Sequence, residues 1–150
     1  MLASVGSTPY NVMLVLHLLS AIVGVAPLLA QPLVQSQLST SATRRAASAA
    51  LVKNGRRIAG PALILSGLSG FALAGMSSKV FKMSQTWLVA AALVWIAMNA
   101  VLHAKLLPAE KAAANGDESA ATRATQATAL LVVAFVVMLV LMVFKPGQSA

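Results

Sequence analysis

Two histidines are the residues of this chain best suited to chemistry. His17 sits inside "NVMLVLHLLSAIVGVAPLLA", Asn11 to Ala30, an apolar segment with no other ionisable side chain. His103 ends the row Trp95, Asn99, His103, spaced by four, so these three project from one helix face as a polar stripe. A neutral imidazole can ligate a haem-b iron or a copper ion, hand on a proton, or donate a hydrogen bond to a neighbouring helix. An ionisable residue inside an apolar run is a functional candidate by default. His17 is therefore the candidate cofactor-binding residue, with all three roles open.

The other reactive groups narrow the chemistry. Glu110, Asp117 and Glu118 are the only acids, and all lie in one stretch read as a loop. Proton- and ion-coupled carriers place carboxylates inside the membrane; here the apolar runs hold none. No acid is available there to orient a histidine as in a hydrolytic triad. No helical His/Glu metalloprotease motif occurs. With no cysteine, thiolate metal sites, c-type haem attachment and disulfides are excluded. The chain is expected to be a non-enzyme with no dedicated metal site.

These groups are positioned by elements that composition identifies. Hydrophobic residues make up 59% of the 150 and charged residues 9%, against roughly 25% charged in a soluble domain. The mean hydropathy is +0.83. Such a chain cannot cover its own surface with polar groups, so its solvent is lipid. A span needs about 20 apolar residues, and four runs qualify: 10–30, 58–75, 87–104 and 127–144. The fold expected is all-α, a single four-helix transmembrane bundle over 1–150. No Lys or Arg precedes Arg44, so the first run lacks the basic flank of a signal peptide and reads as a retained span.

The net charge of +8 could signal nucleic acid, but the basic residues sit at the ends of apolar runs, which fits lipid headgroups instead. Arg44, Arg45, Lys53, Arg56 and Arg57 lie between the first two runs; Lys105, Lys111 and Arg123 lie between the last two. Only Lys79, Lys82 and Lys145 fall on the opposite side. The positive-inside rule then places both termini outside and the basic connections in the cytoplasm of a bacterial inner membrane. Tyr10, Phe81, Trp87 and Phe144 would form the outer aromatic belt. The basic clusters read as topology determinants that bind anionic headgroups, or as a docking surface for an acidic partner loop.

The connections carry helical signals. A helix is expected from about Ser41 into the second run, with a bend near Gly60-Pro61. "PAEKAAANGD" reads as a short helix of its own, stopped by Gly116, and Asp117 as the cap of the helix that enters the fourth run. Close packing of small residues drives helix association in lipid. The second run offers Ser66, Gly70 and Ala74 every four residues, with Gly67 and Gly75 beside them. The first offers Ser20 and Gly24 on the stripe of His17. These two helices are expected to pack closely. The fourth run, "ALLVVAFVVMLVLMVF", is bulky throughout and is expected to face lipid or another subunit.

Depth separates the histidines. His17 lies seven residues after Tyr10 and His103 sixteen after Trp87, so their depths differ by roughly 13 Å at ~1.5 Å per residue. One haem held by both within a monomer is disfavoured. A ligand pair would need a second copy or a partner chain.

Three stretches, "LHLLSAIVGVAPLLAQPL", "LVKNGRRIAGPALILSGLSGFAL" and "TWLVAAALVWIAMNAVLHAKLLPAEKAA", together resemble small bacterial integral membrane proteins of a domain-of-unknown-function family. They are also distantly similar to copper-resistance D-type membrane proteins. The resemblance covers about Asn11 to Ala114 and implies four membrane helices without an established activity. The function expected is a non-catalytic accessory subunit of a larger bacterial membrane complex, such as a respiratory or other electron-transfer complex. The alternatives are a haem-b or copper redox protein using His17, and a lipid- or quinone-binding module near Trp95 and Asn99. Expected partners are membrane lipids and other membrane subunits, with no nucleic acid.

Overall fold

A computed structural model describes residues 4–147; the extreme ends of the expected 1–150 domain lie outside the described residues. Helices α1 (Thr8–Gln37), α2 (Ser41–Asn54), α3 (Gly60–Met76), α4 (Thr86–Val101), α5 (Leu107–Ala114) and α6 (Glu118–Phe144) follow in order. Two π-helical segments, Gly55–Ala59 and Leu102–Leu106, join α2 to α3 and α4 to α5. There is no strand among the described residues. Four continuous helices, Thr8–Gln37, Ser41–Met76, Thr86–Ala114 and Glu118–Phe144, are long and apolar enough to cross a membrane. The chain is an all-α, multi-pass membrane protein.

Each helix outruns its apolar run, as expected for the helices that begin at Ser41 and after Asp117. Ser41–Met76 has 36 residues, about 54 Å at ~1.5 Å per residue, against a hydrocarbon core of ~30 Å. The flanking stretches are rich in alanine and other good helix formers, so the helix continues after the apolar run stops. "PAEKAAANGD" forms the short helix expected, α5, with Pro108 in its first turn, and a π turn joins it to α4 so that the third long helix is continuous.

The π segments have a common cause. Each is followed at the second position by proline, Pro61 and Pro108. A proline ring collides with the carbonyl four residues back, here those of Arg57 and Ala104. One extra residue in the turn moves that carbonyl aside, and the bonds run from Gly60 N–H to the Gly55 carbonyl and from Leu107 N–H to the Leu102 carbonyl. The irregularity expected as a bend at Gly60-Pro61 is this widened turn. The two segments face each other through Gly55 against Leu107 and Gly60 against His103.

The bundle therefore has two storeys. In the membrane storey α1 packs on α3 and α4 on α6, while α3 and α4 touch more sparingly. Ala74, Trp87 and Leu88 close the end that carries both termini, with Phe81 and Met142 packed against them. Phe81 also stands edge-on to Trp87 at 5.7 Å and lies under the Lys145 ammonium at 4.6 Å. In the other storey, called here the charged end, α2 packs on α5 and α5 on α6. Leu102, Leu106, Leu107, Ala124 and Ala127 run the core through into it.

Helix α6 starts where expected. The Asp117 carboxylate accepts from Ala120 N–H at 3.2 Å, and it also holds the Ser119 hydroxyl and the Arg123 guanidinium. The Ser119 and Arg123 hydrogen bonds hold its carboxyl below the usual aspartate range. A depressed carboxyl contributes stability that is present above the ordinary value of ~3.9 and is lost as pH falls through the lower folded value. Asp117→Ala should lower the thermal midpoint at neutral pH, and Asp117→Asn, which keeps a capping oxygen, should lower it less. The difference between wild type and Asp117→Ala should close below about pH 4, measured by circular dichroism in detergent.

Candidate functional site

The membrane storey is held by polar side chains that reach the backbone of α3. His17, half-buried, places Nδ1 2.7 Å from the Ser66 carbonyl oxygen. A carbonyl only accepts, so Nδ1 carries the proton. The His17 ring reaches α3 because Gly70 has no side chain: a Cβ there would stand 3.2 Å from His17 Cε1. One turn further along α1, Ser20 bonds back to the His17 carbonyl at 3.0 Å. At Gly24 an added Cβ would lie 3.0 Å from the Leu63 backbone nitrogen. The stripe of His17, Ser20 and Gly24 does face α3.

From the other side, Trp95 Nε1 donates to the Leu63 carbonyl at 2.8 Å. Its indole occupies the notch at Gly67, where a Cβ would fall 2.1 Å from Cε2, and stands edge-on to Phe71 at 5.8 Å. Gly67 thus serves α4, while Gly70 serves α1. Ser66 and Ala74 are buried on the same helix. Gly75, two turns after Gly67, points to open space, although Ala74 beside it is buried.

Asn99 donates to the Trp95 carbonyl of its own helix at 2.9 Å, leaving a buried Oδ1 unbonded among the described residues. His103 is exposed on one side and lays its ring against Gly60 in the neighbouring π turn. Measured along α3, the His17 contact at Gly70 and the His103 contact at Gly60 are ten residues apart, about 15 Å. The two rings therefore serve separate joints. No group of three or more His, Asp or Glu suited to a metal ion occurs among the described residues.

A polar concavity lies elsewhere, at the charged end. A pocket of about 530 Å³ opens between the end of α1, α2, α5 and the start of α6. Its buried side carries Gln31, Ser48 and Glu110, and its exposed rim Arg44 and Arg45. Gln31 Nε2 donates to Glu110 Oε1, and Thr128 donates to Gln31 Oε1 at 2.9 Å. Gln35 Nε2 donates to Ser48 Oγ at 3.3 Å. Glu110 is only 2% exposed, and its Oε2 has no hydrogen-bond partner among the described residues. Arg44 and Arg45 line this pocket, whereas Lys53, Arg56 and Arg57 stand exposed away from it.

Of the three acids of the third connection, Glu110 alone is buried, while Asp117 and Glu118 are exposed. The signal for it was present: Leu102, Leu106 and Glu110 recur every four residues and all three are buried. An apolar stripe that takes in a carboxylate marks a site. Comparison with protein-family models, curated proteins and solved structures brings up no match to this chain.

The tight notch at Gly67 makes a direct test of the α3–α4 joint. Gly67→Ala should displace the Trp95 indole and cost about 1–3 kcal/mol, the usual range for overpacking. Gly75→Ala should cost nothing. Denaturant titration in mixed micelles, followed by tryptophan fluorescence, compares the two.

Proposed function

We propose that this protein is a non-catalytic accessory subunit of a larger complex in the bacterial inner membrane. Both termini face outward and the charged end faces the cytoplasm, as the distribution of Lys and Arg favours. The observation that carries the subunit reading is α6. Leu130, Val133, Val136, Val137, Val140, Val143 and Phe144 are all exposed along it, and its buried residues are confined to the half nearer its start. It presents a bulky, apolar wall with no notch of small residues, suited to a neighbouring membrane subunit. The His17 and Trp95 ring N–H groups of the membrane storey meanwhile point inward and are spent on helix joints. An electron-transfer complex is one setting for such a subunit.

A second reading, a haem-b or copper protein, draws on His17. Ligand histidines commonly donate their other ring N–H to a carbonyl, which fixes the tautomer. Ser66 fixes Nδ1 in this manner and leaves Nε2 with a lone pair. The second ligand would come from a partner chain or a second copy.

Both readings meet one preparation. Purified in mild detergent, the chain should run with additional membrane subunits, and Leu→Asn or Val→Asn changes on the α6 wall, such as Val136→Asn, should release them. Recovery as a lone, colourless monomer would reject both. A Soret band lost in His17→Ala would favour the redox reading.

A further inference from the structure

The pocket at the charged end is organised by charge. On its inner side acceptors outnumber donors. Glu110 Oε2 makes no hydrogen bond of normal geometry, although the Ser48 hydroxyl lies beside the carboxyl, and half-buried Gln35 spends its amide nitrogen on Ser48, which leaves its oxygen free to accept. Its rim carries Arg44 and Arg45, both exposed and without an ion pair among the described residues, together with the exposed carboxylate of Glu118. The nearby acid Asp117 is already engaged by Arg123. A buried carboxylate oxygen without a donor is costly, and a ligand ammonium supplies both the donor and the compensating charge. Guanidinium groups match phosphate oxygens. The pocket's volume of about 530 Å³ lies in the roughly 300–1,000 Å³ range of small-ligand clefts. On α6 and α4 the exposed large apolar residues end at Leu130 and Ile96, short of the pocket, while on α1 they run on to Leu33 and Val34 between Gln31 and Gln35, so the pocket lies at the edge of the apolar belt, where headgroups begin.

We propose that this pocket binds a zwitterion with a leading primary ammonium and a trailing phosphate, the chemistry of an aminophospholipid headgroup. The ammonium bonds Glu110 and Gln35, and the phosphate bonds Arg44 and Arg45. The proposal stands whether or not the chain is a subunit of a complex.

The test uses the full chain in detergent and native mass spectrometry, with phosphatidylethanolamine and phosphatidylcholine of matched acyl chains as probes. Phosphatidylcholine keeps the positive charge but has no N–H to donate. Wild type should retain phosphatidylethanolamine roughly tenfold better, the scale of one charged hydrogen bond. Glu110→Gln should erase that difference. The Arg44→Ala/Arg45→Ala variant, altered only at exposed positions, should weaken retention of both lipids and serves if Glu110→Gln fails to fold. Displacement of the lipid by free phosphoethanolamine would identify a soluble zwitterion as a sufficient ligand; failure to displace it would identify the lipid. Equal retention of the two lipids by wild type, a difference that survives in folded Glu110→Gln, or unaltered binding by the arginine variant would each overturn the proposal.

Discussion

In hydrocarbon a polar group has no water to fall back on, and the carbonyls of α3 are where this fold settles that constraint. The Leu63 oxygen accepts from Trp95 and from the Ser66 hydroxyl; the Ser66 oxygen accepts from His17 and from the Ser69 hydroxyl. A carbonyl has two lone pairs and a helix uses one, so the second is available without breaking the helix and is shared between the serine hydroxyl and the incoming ring N–H. Gly67 and Gly70 make them reachable by letting the indole and the imidazole come within contact of the backbone. Apolar packing between helices gains little over packing against lipid. The arrangement of α1, α3 and α4 therefore depends on these side chain-to-backbone joints more than on the bulk of their leucines.

The π segments extend this logic to the boundary between the storeys. Polar α2, a π turn and membrane helix α3 are answered by membrane helix α4, a π turn and polar α5. The chain enters and leaves the membrane through the same device, set by Pro61 and Pro108. Gly55 and Gly60 let the two widened turns lie against each other. The charged end becomes a continuation of the bundle, with a core of its own and a pocket, instead of a pair of connecting loops.

The sequence was a good guide to whatever depends on whole segments. Hydropathy located four long helices, the His17, Ser20 and Gly24 stripe pointed to the α1–α3 pairing, and Asp117 marked the start of α6. Single-residue environments were harder to read. Glu110 lies among alanines and beside Lys111, a composition that resembles a solvated helix, and its burial comes from α2 folding back over α5. Gly75 shares the spacing of a packing residue but lies on a side of α3 that meets open space, while Ala74 next to it is buried. Gly67 and Gly70 look alike in sequence, yet one receives α4 and the other α1, a division set by tertiary geometry alone.

The bond from Thr128 to Gln31 links positions 97 apart, and that from Gln31 to Glu110 spans 79. Helices enter a membrane in the order of synthesis, so the amide oxygen of Gln31 does not meet its hydroxyl donor until α6 arrives. Until then the chain presents an open amide oxygen near the bilayer surface. Completion of the bundle thus has a chemical signature: an intermediate stalled before α6 differs from the finished protein in which polar atoms it offers to a chaperone or a membrane protease. Thr128, a modest hydroxyl near the start of the last helix, acts as the closing latch of the assembly sequence.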